Sequence, residues 1–132
     1  MSEVRRLIGV YDADGTVLGE LSYFVGKRLG RAHCGLCDIT HGVVRERVEW
    51  RRERDRLPVP FEMFHRDDQP DEVRAASGGT APVVLAEMAT GSIVVLVGSV
   101  AIDRCAGSPA KLVAAIRTAV TEHAATWPAA TG

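Results

Sequence analysis

Cys34 and Cys37 are the residues whose type and spacing first imply chemistry. Three positions apart at a helix start, their sulfurs come within bridging reach, and the free backbone N–H groups there stabilise a thiolate. His33, directly before the pair, adds a cationic neighbour with the same effect. Thiols in such settings have pKa values of about 3.5 to 7.5, so reactive thiolate is present near neutral pH. The same segment also suits a metal. Cys34, Cys37 and His41 fall at i, i+3 and i+7, one face of a helix that begins early, and His65 or Cys105 would complete four ligands. Zinc prefers tetrahedral sulfur and imidazole, and paired cysteines are its usual starting half-site. A third reading packs both cysteines as small hydrophobes at an interior turn, with the histidines capping and hydrogen-bonding. Spacing leaves all three open.

Other motifs carry less. Asp12-Ala-Asp14-Gly-Thr after a strand resembles the first motif of haloacid-dehalogenase-type phosphatases, with Ser99 and Lys111 as later motifs. The resemblance implies a nucleophilic Asp12, an acid Asp14 and magnesium. The closing acidic pair is missing, since Glu122 is the only carboxylate side chain after Asp103, and a tight turn explains the same residues. A calcium loop fails as well, because the twelfth position counted from Asp12 is Tyr23. A P-loop requires Gly-x-x-x-x-Gly-Lys-Ser/Thr. Gly26-Lys27 is followed by Arg28 within an amphipathic run, so the chain is not a P-loop GTPase. His65-Arg66-Asp67 matches a kinase catalytic loop only as a tripeptide.

The 132 residues carry 16 basic and 17 acidic side chains, a formal charge of -1. That balance steers the chain neither to nucleic acid nor to an acidic lipid surface. With 46% hydrophobic and 25% charged residues, composition is that of an ordinary globule able to bury a core. The longest apolar run, Ile93 to Ile102, is broken by Gly98 and Ser99 and falls short of the roughly 20 residues that cross a bilayer. Leu7 to Tyr11 meets Asp12 too early for a secretion signal, so the expected compartment is the cytoplasm and the three cysteines are thiols, ligands or fillers.

These groups need a scaffold, and the sequence outlines one domain over residues 1–132, without repeats or linkers. Arg6 to Asp12 is β-branched and apolar up to a turn, which predicts a buried strand. Leu18, Leu21, Val25 and Leu29 predict a helix that Gly30 ends. Arg45 to Arg56 is charge-rich, with Val48 and Trp50 its only large apolar interruptions, and reads as a helix mostly in water, its opposite charges three and four apart. A second strand is expected over Val59 to His65 and a short helix over Asp67 to Ala76, with Pro70 near its first turn. Val83 to Met88 and Ile93 to Gly98, joined by Ala-Thr-Gly, predict an antiparallel hairpin. Cys105 then sits in a loop before a closing helix, capped by Ser108-Pro109, that buries Leu112, Val113, Ile116 and Val120. Strand ends in α/β domains gather at one edge, which would let His65 face the cysteines.

In this order of elements the chain resembles a thioredoxin-like domain, an α/β fold in which βαβ is followed by ββα around a central mixed sheet. Cys34 and Cys37 stand where that family has Cys-x-x-Cys, and Pro82 stands where a cis-proline opens the ββα half. Phe64-His-Arg-Asp-Asp-Gln-Pro-Asp-Glu-Val-Arg followed by Thr80-Ala-Pro-Val-Val is similar to the family's stretch from middle strand to proline. His33 in place of an aromatic residue and the helix inserted before the cysteines depart from the pattern. The resemblance implies thiol–disulfide exchange with a protein thiol or disulfide partner, without a cofactor: Cys34 attacks, Cys37 resolves, Pro82 shapes the substrate groove, and His33, His41 or His65 tunes proton transfer. The alternative is a zinc-binding or interaction module using Cys34, Cys37, His41 and His65. Cys34-Gly-Leu-Cys37-Asp-Ile-Thr-His41 is also similar to a segment shared by a group of bacterial proteins, some labelled GTPases, a label that implies no mechanism here.

Overall fold

The computed structural model describes residues 3–11 and 48–128. Its elements run β1 (Val4–Tyr11), α1 (Val48–Asp55), β2 (Phe61–His65), α2 (Asp71–Ser77), β3 (Val83–Met88), β4 (Ile93–Val97), α3 (Ser99–Arg104) and α4 (Pro109–Glu122). The strands form one mixed sheet in the order β2-β1-β3-β4. β1 is parallel to β2 and antiparallel to β3, and β3 is antiparallel to β4. A parallel neighbour requires a crossover, which the chain between β1 and β2 supplies and to which α1 belongs.

β1 is almost continuously apolar because it is covered on both sides. Leu7 and Tyr11 face one cluster with Val84, Ala86 and Met88 of β3, closed by Trp50 of α1, Ile102 of α3 and Leu112, Val113, Ile116 and Val120 of α4. Ile8 and Val10 face the other with Val83 and Leu85, closed by Val73 of α2. The result is an α/β arrangement with helices on both faces of a four-stranded mixed sheet. Each fully buried Leu, Ile or Val here contributes about 1.5–3 kcal/mol. Across the sheet, Arg6 ties three strands by holding Glu62 of β2 at 2.6 Å and Glu87 of β3 at 3.0 Å. Burial disfavours the guanidinium charge, but the two carboxylates outweigh it and raise the Arg6 pKa.

The hairpin, β2 and α4 lie where the sequence predicts them, to within two residues. α4 starts at Pro109, and the Ser108 hydroxyl accepts the Lys111 N–H at 3.3 Å. β1 begins at Val4 rather than Arg6, because the Val4 N–H donates to Thr126 at 2.9 Å and the Glu3 carbonyl accepts from Ala89 at 2.7 Å. Those partners are distant in sequence and leave no local pattern. α2 begins four residues later than expected. Residues 66–68 form a turn that Asp68 ties to His65, and Pro70, with φ -58 and ψ 150, is the N-cap. Proline bars the residue before it from helical backbone. α3 forms over residues for which the sequence predicts no element, and Cys105, expected in a loop, is its C-cap and begins a turn over residues 105–107. Of the two apolar interruptions in α1, Val48 is exposed, whereas Trp50 is fully buried, edge-on to Phe61 at 5.1 Å. Among the described residues no helix is long and apolar enough to cross a membrane.

Candidate functional site

The register of β1 assembles the site. Tyr11 ends β1 and lies opposite His65, which ends β2. On the other side Val10 pairs with Val83, so Pro82 lies just past the start of β3 at the same edge. His65 and Pro82 therefore flank the end of β1, the point at which the chain departs toward residues 12–47. The expected gathering of His65 at this edge is observed. Cys34, Cys37, His33 and His41, like Asp12 and Asp14, lie outside the described residues.

His65 is held from two directions. Its backbone N–H donates to Asp68 Oδ1 at 2.6 Å, and its ring Nδ1 lies 3.1 Å from Asp68 Oδ2. The Tyr11 ring packs against the imidazole with centroids 5.4 Å apart at 42°. A carboxylate only accepts hydrogen bonds, so this contact places the proton of a neutral ring on Nδ1 and gives Nε2 the basic lone pair. The imidazole keeps 26% of its side chain exposed. The following turn is braced at the Arg66 carbonyl, which accepts from Gln69 Nε2 at 3.1 Å and Arg74 at 2.9 Å. Gln69 Oε1 is buried with no hydrogen-bond partner among the described residues.

Pro82 is buried and follows a cis peptide bond from Ala81. Its carbonyl accepts a hydrogen bond of 2.6 Å from the hydroxyl of Ser99, the first residue of α3. Ser99 thus has a structural partner here. Cys105 is a buried free thiol whose Sγ donates to the Ala101 carbonyl at 3.4 Å. Burial raises its pKa despite the opposing charge of Lys111, which favours the unreactive thiol form. Among the described residues no group of three or more His, Cys, Asp or Glu side chains is placed to hold a metal ion.

Sequence reasoning missed Tyr11, Asp68 and Ser99 as parts of this edge. Asp68 had a local signal, an Asp three residues after a strand-ending His. The Ser99–Pro82 bond spans seventeen positions and had none. No protein-family model, curated protein or solved structure matches the chain.

Proposed function

We propose that the chain is a thioredoxin-like domain that exchanges thiols and disulfides with a protein partner through Cys34 and Cys37. The observation that carries this reading is the sheet edge. β1 lies between a parallel β2 and an antiparallel β3, its end is flanked by His65 and Pro82, and the segment bearing both cysteines leaves from that point. Helices on both faces and a cis Ala81–Pro82 bond opening the hairpin half also fit the resemblance.

In the reaction, the Cys34 thiolate attacks one sulfur of a partner disulfide, and the other sulfur departs as a thiolate that takes a proton. The Cys37 thiolate then attacks Cys34 in the mixed disulfide and releases the partner's second thiolate. The partner is reduced by two electrons and the Cys34–Cys37 pair is oxidised; the reverse sequence oxidises a partner dithiol. Pro82 borders the substrate groove, and His33, His41 or His65 handles the proton.

One observation favours a second reading. A carboxylate on one imidazole nitrogen, as Asp68 is on His65, is the outer partner that zinc-binding histidines usually carry. His65 would join Cys34, Cys37 and His41 around zinc. Native mass spectrometry of the full chain, with metal analysis and thiol counts before and after mild oxidation, separates the two. Metal-free protein that loses two hydrogen atoms together with the reactive thiols of Cys34 and Cys37 is expected for exchange. One stoichiometric zinc that blocks thiol labelling overturns exchange in favour of a metal-held module.

A further inference from the structure

The outer strands of the sheet, β2 and β4, are protected differently. An outer strand presents unpaired backbone N–H and C=O groups, which proteins block with charge, proline, bulges or a covering element. Pro60 precedes β2, and Glu62 within it is held by Arg6. β4 reads Ile-Val-Val-Leu-Val, and the whole stretch from Ala89 to Gly98 holds neither charge nor proline.

Ladder phase decides which β4 groups point outward. The Met88 N–H donates to the Ser92 carbonyl at 2.7 Å, which makes Met88 and Ser92 a hydrogen-bonded pair. Alternation along an antiparallel ladder then turns the polar groups of Val94 toward Ala86 on β3 and those of Ile93 and Val95 away from it. Among the described residues these outward groups meet no hydrogen-bond partner. The register shift in this pairing falls beyond Val95, so Ile93 to Val95 stays regular. Side chains on both faces of the strand are half-buried, Val94 and Leu96 over one cluster and Ile93 and Val95 over the other.

We propose that the outer edge of β4 pairs antiparallel with the same edge of a second copy of this chain, about a twofold axis at Val94. In that register Ile93 of one copy lies opposite Val95 of the other, and each such pair exchanges both of its N–H···O bonds. Val94 meets its own counterpart. The segment is self-complementary in hydrogen bonding and apolar on both faces, and it has no charge to select an oppositely charged peptide. A twofold contact also closes. It merges the two unprotected edges and leaves the doubled sheet ending in β2 on both sides, whereas an unrelated added strand would expose a new edge.

The test is sedimentation of the reduced full chain over a concentration series, with two variants. The wild type is expected to pass from monomer to dimer. Val95→Pro removes an outward N–H and spares the ladder to β3, so it is expected to weaken the dimer at least tenfold with an unchanged far-UV spectrum. In a Cys34→Ser, Cys37→Ser background, Val94→Cys places two thiols on a close pair, with Cα atoms about 4.5 Å apart, within disulfide range. Mild oxidation is expected to link the two introduced thiols, and to link those of Val95→Cys far less. The crosslink decides the matter if Val95→Pro unfolds. A monomer at every concentration, open-ended polymers, or a dimer that neither responds to Val95→Pro nor crosslinks through Val94→Cys overturns the proposal.

Discussion

The Ser99 hydroxyl donates to the Pro82 carbonyl at 2.6 Å, so the start of α3 fixes the residue that opens β3 at the candidate edge. Ser99→Ala leaves a half-buried carbonyl without that donor. The expected cost is about 1–2 kcal/mol in denaturant unfolding, with Ser99→Thr recovering most of it. Equal midpoints for wild type and Ser99→Ala would show that the bond contributes nothing.

Trp50 is fully buried, yet its indole Nε1 has no hydrogen-bond partner among the described residues. Trp50→Ala should cost about 3–5 kcal/mol by leaving a cavity. Trp50→Phe removes the unpaired N–H, an offset of about 1–3 kcal/mol, and should lose far less. Thermal unfolding of both variants checks the difference, and similar losses would locate the N–H in a satisfied environment.

Gly9 is small because β2 leans over it. A Cβ built there would lie 2.7 Å from Met63 Cε and 3.0 Å from Phe61 Cε1. Overpacking of this kind costs about 1–3 kcal/mol, reduced here because the Met63 tip can move aside. Gly9→Ala should therefore destabilise the wild type and do so much less beside Met63→Ala. A double-mutant cycle reads the coupling directly, and additive losses would break the argument.

Cys105 supplies a pH dependence. Its folded pKa is raised by burial, so the folded state holds the proton more tightly than the unfolded chain. Stability from this group is fully present below the unfolded thiol pKa of about 8.5 and is lost as pH rises above it toward the folded value. Denaturation midpoints should fall more steeply with alkaline pH in wild type than in Cys105→Ala. Native protein should also leave Cys105 unalkylated until it unfolds, and prompt labelling would contradict its burial.

Much of this fold is written locally. The β-branched runs at Leu7–Tyr11, Val83–Met88 and Ile93–Val97 and the Ser108-Pro109 cap carry their own signals, because backbone propensity and turn chemistry act over a few residues. The place of His65 at the end of β1 followed from the rule that strand ends gather at one edge. What the sequence by itself determined was therefore which segments form the four strands and the closing helix, together with the identity and spacing of the cysteines and histidines. Only the tertiary structure decided that Trp50 leaves a charged helix to fill the core, that Thr126 lengthens β1, that Asp68 rather than a helix start claims His65, and that Ser99 holds Pro82. Each of these depends on a partner brought close by packing or on a competition between local structures. The Trp50, Thr126 and Ser99 contacts form only after the sheet has chosen its order, and no periodicity along the chain encodes them, whereas Asp68 reaches His65 across three residues and wins a local competition with the helix start.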